Sequence, residues 1–327
     1  MDRRTFIGIV GSAIVACIQI ASAAQSGKVW RVGFLASGPR PPDGAIPKVL
    51  RDELQSLGYA EGNEITYEGR WSGGRNDRLP ELAAELLARN VELIVAFGSA
   101  AAEAAKQASS TVPIVVFSAG DVVETGLIAS LARPGGNVTG LNDPAAVLSA
   151  KRLELLNELV PGVKRVAVLW NARNYAMTLR YREIERTAQA LHMSIEPVSV
   201  REPDDFDVAF AAMRRVRPDA LMMLTDAFTN LNRQLVLDYV RDHKIPAMYE
   251  FGFVVHAGGL VSYGNDQGEM FKLTAHYVAK VLKGAKPADL PVEQPNRYFL
   301  VINLNTAKDL GLTIPQSVLV RADEVIQ

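Results

Sequence analysis

Short, nearly continuous apolar runs alternate along the chain with stretches whose apolar residues recur every three or four positions. Residues 32–35 read as a strand, and after them Ile46, Val49, Leu50, Leu54 and Leu57 keep helical spacing. Residues 64–68 predict a second strand, 79–88 a helix, 93–97 a strand, 99–107 an alanine-rich helix and 114–117 a further strand. Strands apolar on both faces and separated by helices belong to a parallel sheet covered on both sides. The same order then begins again. Arg31-Val-Gly-Phe-Leu35 is echoed by Arg165-Val-Ala-Val-Leu169, Glu92-Leu-Ile-Val95 by Asp219-Ala-Leu-Met222, and Val112-Pro113-Ile114 by Ile245-Pro246-Ala247. Gly135-Gly136-Asn-Val-Thr139 is likewise echoed by Gly258-Gly259-Leu-Val-Ser262.

This pattern predicts an α/β protein with two doubly wound, parallel-sheet (Rossmann-like) lobes. A helix over 267–282 and a strand over 298–302 follow the second half, so the chain recrosses between lobes. Several crossings make a multi-strand hinge, and hinged lobes close around ligands. The expected division is 28–141 plus 264–284 for an N-terminal lobe and 142–263 plus 285–327 for a C-terminal lobe.

Composition narrows the class. A length of 327 residues suggests about two domains at roughly 150 residues each. Lys plus Arg is 35 against 36 for Asp plus Glu, so no basic surplus points to nucleic acid. The first residues combine Arg3-Arg4, an apolar run over 6–20 and Ala21-Ser22-Ala23, the three parts of a secretory signal ending at residue 23. Arg3-Arg4-Thr5-Phe6 resembles a twin-arginine export signal, and Ile14-Val15-Ala16-Cys17 resembles a lipoprotein box in which Cys17 carries lipid. Cleavage after Ala23 accounts for the segment without lipid. Cys17 is the chain's one cysteine, so disulfides and zinc–cysteine sites are excluded from the remainder.

Ligands of open α/β sheets bind at the carboxyl ends of the strands. Those ends supply Ser37, Ser99, Ala100, Ser118, Asp121 and Asn142 from the first half. The second half supplies Asn171, Tyr175, Asp226, Glu250 and Tyr263. Gly98-Ser99 is the strongest of these: a strand runs into glycine, then into a serine placed to cap the next helix and meet a carboxylate at its positive end. Asp226, Asp121 and Glu250 are candidate partners for an ammonium group, and Tyr263 a hydrogen-bonding or stacking contact near the hinge. Trp71 is read as a loop residue. The set suits a small polar or zwitterionic solute such as an amino acid or related carboxylate.

No G-x-G-x-x-G follows a strand, no phosphate-binding G-x-x-x-x-G-K-[ST] occurs, and the four histidines lack ligand spacing. No nucleotide cofactor or built-in metal is therefore expected. Two other uses of such a chain are a ligand sensor for a membrane kinase or chemoreceptor, and an exported serine hydrolase acting through Ser99. The second lacks the flanking glycine of G-x-S-x-G.

Six stretches, Arg31-Val-Gly-Phe-Leu35, Phe97-Gly-Ser99-Ala-Ala, Pro134-Gly-Gly-Asn-Val-Thr-Gly140, Ile245-Pro-Ala-Met-Tyr-Glu250, Gly258-Gly-Leu-Val-Ser-Tyr-Gly264 and Val301-Ile-Asn-Leu-Asn-Thr-Ala307, resemble the substrate-binding proteins of ABC transporters. The likeness is greatest to the branch holding bacterial tryptophan- and tyrosine-binding lipoproteins, and it runs from about Lys28 to Val320. It implies type I periplasmic-binding architecture and a monomeric, non-enzymatic, periplasmic receptor without cofactor. Such a receptor hands a small solute, in some members aromatic, to a membrane permease driven by a separate ATPase. The loop after Trp170 reads Asn171-Ala172-Arg173-Asn174, where relatives often carry Asn-Pro pairs.

Overall fold

The computed structural model describes residues 28–120 and 122–327, with the side chains of Ser118, Ala145 and Ala146 outside that description. The expected leader, its Arg3-Arg4 pair and Cys17 lie outside the described residues, as does Asp121.

Two sheets organise the chain. The first contains β1 (Trp30–Ala36), β2 (Ile65–Trp71), β3 (Leu93–Phe97), β4 (Ile114–Gly120) and β5 (Val138–Asp143), all parallel in the order β2-β1-β3-β4-β5. The second contains β6 (Arg165–Asn171), β7 (Ser194–Val200), β8 (Ala220–Met223), β9 (Ala247–Tyr249) and β10 (Val261–Gly264), parallel in the order β7-β6-β8-β9-β10. This is the first order repeated, which is the structural counterpart of the sequence echoes. Two further strands extend the second sheet: β11 (Phe299–Asn303), antiparallel to β10, and β12 (Glu324–Ile326), parallel to β11. Trp71 ends β2, near Phe34 at 6.3 Å, instead of lying in a loop.

Helices α1 (Lys48–Ser56), α2 (Leu79–Ala88) and α3 (Ser99–Ala108) cover the first sheet. The second lobe adds α4 (Ala145–Leu159), α5 (Tyr175–Ala190), α6 (Asp205–Val216), α7 (Ala227–Leu231), α8 (Arg233–Asp242) and α9 (Gly252–His256). The first lobe regains α10 (Gln267–Leu282), whose Met270, Ala275 and Val278 join its core, while α11 (Leu304–Asp309) and α12 (Gln316–Leu319) finish the second. Each sheet has an apolar core on both faces, which is why β3 and β8 are apolar without alternation. Among the described residues no helix is long and apolar enough to cross a membrane.

The chain crosses between lobes three times: after Asp143, after Gly264, and between Glu293 and Phe299. First-lobe packing thus reaches past the expected boundary at 284. Leu290 O accepts from Thr139 Oγ1 at 2.9 Å, Glu293 O accepts from the Asn142 amide at 2.9 Å, and Val292 is buried in the first core. These bonds run along β5 and hold the segment to the first sheet. In β5, Gly140 has φ +126°, and a Cβ there would collide with the Val116 backbone, so only glycine lets β5 lie against β4.

Candidate functional site

In each sheet the strand order reverses beside the first strand of its half: between β1 and β3, and between β6 and β8. A crevice opens at such a switch point, outside the carboxyl ends of the strands. Both crevices face the same space. Ser37 after β1 and Gly98-Ser99-Ala100 after β3 meet Asn174 beyond β6 and Thr225-Asp226 after β8 around a cavity of about 170 Å³. Its apolar walls come from both lobes. Phe97 and Phe117 stack at 4.4 Å, backed by Phe271 at 4.3 Å from Phe117, and opposite stand Met177, Phe251 and Phe253. Outward, an opening of about 630 Å³ lies between Gly73–Asp77 and Asn171, Arg173 and Phe228, with Asn76 lining both spaces. At this mouth the hydrogen bond from Arg75 holds the Asp77 carboxyl below the usual carboxylate range, and Arg173 adds to the effect.

At α3 the helix cap is Gly98, not Ser99 as the sequence suggested. Gly98 has φ +88°, a conformation glycine takes without strain, and Ser99 is the first helical residue. The Ser99 hydroxyl instead accepts from the Gly120 amide at 3.2 Å, which leaves its hydrogen to donate. The amides of Ser99, Ala100 and Ala101 open the helix and have no carbonyl one turn earlier within it. A hydroxyl donor and the positive end of a ten-residue helix therefore meet at the cavity wall.

Across the cavity, Asp226 caps α7. Its Oδ1 accepts from the amides of Phe228 and Thr229 at 3.0 Å each, and Thr229 Oγ1 accepts in return from the Asp226 amide at 2.9 Å. Its Oδ2 accepts from Asn171 Nδ2 at 2.8 Å and Asn174 Nδ2 at 3.1 Å. Asp226 lines the cavity but is engaged at both oxygens by the protein.

Glu250 was expected to meet an ammonium group as well. It is instead clamped in a buried set of four charges. Arg180 Nη1 reaches its two oxygens at 3.3 and 3.2 Å, and Arg152 Nη1 lies 3.4 Å from Oε1. Arg180 Nη2 donates to Asp143 Oδ2 at 3.0 Å, and Asn265 Nδ2 lies 3.4 Å from Asp143 Oδ1. Arg152 Nε also donates to Tyr263 O at 2.6 Å. All four side chains are at most 3% exposed, and two positive charges balance two negative ones. The set joins the end of β5, where the chain leaves the first lobe, to α4, α5 and the end of β9. Burial, with Asp143 nearby, pushes the Tyr298 phenol up.

Of the residues singled out from sequence, Ser37, Ser99, Ala100, Asp226 and Glu250 line the cavity together. Asn142 is buried beside it, with Oδ1 accepting from the Val122 amide, and Asn171 supports Asp226 from behind. Tyr175 opens α5 at 56% exposure, and Tyr263 packs against Tyr298; neither is among the cavity-lining residues. Ser118 lies in β4, and its side chain, like Asp121, is outside the described residues. Sequence reasoning missed Arg180, Asp143, Asn174, Asn230 and Phe117 as lining residues. Arg180 is mid-helix and Asn230 a turn past a cap, so neither carries a strand-end signal. The three lining carboxylates do not converge: among the described residues no three acids or histidines are placed to hold a metal. None of the four histidines lines the cavity.

A family model described as ABC transporter substrate binding protein matches residues 43–326. A tyrosine-binding protein of Clostridioides difficile is 25% identical over 261 residues, covering 79% of this chain and 74% of that protein. Among solved structures, an ABC domain from Streptococcus pneumoniae in complex with L-Trp superposes with a TM-score of 0.84 at 28% identity, over 91% of this chain and all of the other. A conserved domain protein from Vibrio cholerae gives 0.85 at 27% identity, also over 91% and all of the other chain.

Proposed function

The chain belongs to the family of ABC transporter substrate-binding proteins, and we propose that it is the exported, periplasmic receptor of an importer for an aromatic amino acid. The observation that carries this reading is the composition of the inter-lobe cavity. Aromatic rings from both lobes form its walls, with a helix N-terminus and Ser99 at one side and the Asp226 region at the other. On this reading the ligand ring lies among Phe97, Phe117, Phe251 and Phe253, its carboxylate against α3, and its ammonium toward the second lobe. The tyrosine- and tryptophan-binding relatives support the ligand class. The ligand touches both lobes, so it favours the closed arrangement by its differential affinity, and a membrane permease with its own ATPase receives the closed, loaded form. The receptor itself performs no chemistry.

Thermal unfolding of the purified, ligand-stripped protein tests the proposal against L-tryptophan, L-tyrosine, L-phenylalanine, polar amino acids, sugars and aromatic acids without an amine. A ligand at about 100 times its Kd adds roughly 2.7 kcal/mol, which raises Tm by several degrees. We expect a shift with the aromatic amino acids. A shift with sugars or polar amino acids and none with the aromatic set overturns the reading.

A further inference from the structure

Among the described residues three carboxylates line the cavity, and protein donors engage each of them. A carboxylate offers about four lone-pair positions. Asp226 fills its own with the backbone amides of Phe228 and Thr229 and the side-chain amides of Asn171 and Asn174. Asp143 and Glu250 face the guanidinium groups of the buried quartet. A ligand amine has to find its acceptor elsewhere on the wall.

The two asparagines that support Asp226 differ in what their oxygens do. Both donate Nδ2 to Asp226 Oδ2. A carboxylate only accepts, so this contact fixes each carboxamide with its nitrogen toward the acid and its oxygen away from it. Asn171 Oδ1 accepts from the Arg173 amide at 3.0 Å. Asn174 Oδ1 accepts nothing among the described residues, and unlike the sealed oxygens of Thr225 and Asn230 it keeps access to solvent. Asn174 is only 9% exposed and lines the cavity, so that access is through the cavity, whereas Asn171 lines the mouth. Its place in the chain sharpens the point. Asn174 caps the sixteen-residue helix α5, where an asparagine ordinarily turns its oxygen to the helix's own first amides, yet its side chain makes no such bond. The nitrogen is committed to Asp226, and the oxygen is left to the cavity.

Resting on the aromatic amino acid reading above, we infer that Asn174 Oδ1 accepts the ligand's ammonium, and that Asp226 is the positioning residue that aims it. A carboxamide oxygen has no hydrogen to give, so it takes an N–H and rejects the ligand's carboxylate. The first lobe is built the other way, offering the Ser99 hydroxyl hydrogen and the opening amides of α3. An acceptor thus faces donors across the cavity, and the pair sets the orientation of a zwitterion. Charge agrees with this placement. The buried quartet sums to zero, and the donors to Asp226 are neutral amides. The N-terminus of α5 offsets at most about half a unit of the Asp226 charge, so the wall around Asn174 favours a cation. Asn174 therefore distinguishes an amino acid from the same aromatic acid without its amine.

The test is calorimetric titration of the purified, ligand-stripped chain and its variants with two matched pairs. One is L-tryptophan against 3-(indol-3-yl)propionate, and the other is L-phenylalanine against 3-phenylpropionate, whose ring carries no donor. Asn174→Leu keeps the side-chain volume and removes the oxygen. It is expected to lower the affinity ratio of amino acid to amine-free acid by about tenfold or more in both pairs. Asn174→Asp keeps an oxygen in place and is expected to retain the ratio. Asp226→Asn removes the charge and lets the Asn174 carboxamide turn over, and is expected to lower the ratio. An unchanged ratio in Asn174→Leu or in Asp226→Asn overturns the inference, as does an Asn174→Asp ratio as low as that of Asn174→Leu. A change confined to the tryptophan pair assigns the oxygen to the indole N–H and overturns it too. If Asn174→Leu does not fold, Asn174→Ala decides by the same ratio. If the unsubstituted protein binds neither amino acid, the functional reading itself falls and this inference with it, an outcome distinct from an unchanged ratio.

Discussion

Replacing Arg180 by Met is the most direct probe of how the two lobes are joined. The guanidinium is 3% exposed and bonds Asp143 at 3.0 Å and Glu250 at 3.2 and 3.3 Å. With it gone, Glu250 keeps Arg152 at 3.4 Å, whereas Asp143 is left with the weak donor Asn265 at 3.4 Å. Removing one partner of a buried ion pair costs about 3–5 kcal/mol, because the remaining charge stays buried without compensation. Total stabilities of native proteins are about 5–15 kcal/mol. At about 2.1 cal/mol/K per residue, a chain of this length loses about 1.6 °C per kcal/mol, so Arg180→Met should lower Tm by roughly 5–8 °C. The combination Arg180→Met with Asp143→Asn removes the stranded carboxylate and should recover about 2 kcal/mol, seen as strong non-additivity in a double-mutant cycle. Urea and thermal unfolding at pH 7 read both. A loss below about 1 kcal/mol for the single variant, or strict additivity, would refute the claim that the quartet holds the crossover.

Tyr249 has a buried hydroxyl with no partner among the described residues, so Tyr249→Phe should be neutral or stabilising by up to about 1 kcal/mol at pH 7, measured by urea unfolding. Burial pushes the phenols of both Tyr249 and Tyr277 above their ordinary value. The folded state then keeps protons that the unfolded state releases above about pH 10, and stability falls as pH rises beyond that point, by at most about 1.4 kcal/mol per pH unit for each tyrosine. The urea midpoint followed from pH 8 to 11 should bend downward near 10, and less so in Tyr249→Phe. Gly140→Ala meets the Val116 backbone as well as a positive φ and should destabilise by at least about 3 kcal/mol, whereas Gly98→Ala meets open space and should cost only about 1–2 kcal/mol of backbone strain. Equal Tm losses in the two glycine variants would contradict the close approach of β5 to β4.

The strand–helix alternation and the likeness of the two halves were legible because each is written locally. β3 is an unbroken apolar run that stops at Gly98-Ser99, and β8 stops just before Thr225-Asp226, so the strand ends that line the cavity could be read from residue type alone. The role of Asp226 could not be read this way. An acid after a strand can cap a helix or receive a ligand, and what decides here is a pair of asparagine amides more than 50 residues earlier in the chain. The quartet was hidden for the same reason. Asp143, Arg152, Arg180 and Glu250 are separated by 9, 28 and 70 residues and share no period. Two of them are arginines on helices, which from sequence alone look like solvated positions. β12 has three residues, too few for any alternation to show.

The charge arrangement bears on how binding is coupled to closure. The quartet lies where the chain leaves the first lobe and is neutral, so it ties the crossover together without drawing a charged ligand toward the hinge. The two polar ends of the cavity belong to different lobes: the α3 N-terminus with Ser99 to the first, and the Asp226 region to the second. In the proposed placement a zwitterion answers both ends at once. A ligand with only a carboxylate then satisfies the first lobe and brings no charge to answer Asp226 on the second, so it gains little from closing the cleft. A ligand with only an amine has the reverse defect. Since a ligand shifts an equilibrium only by its difference in affinity for the two states, carrying both charges on one small aromatic molecule would, on the proposed reading, turn binding into closure.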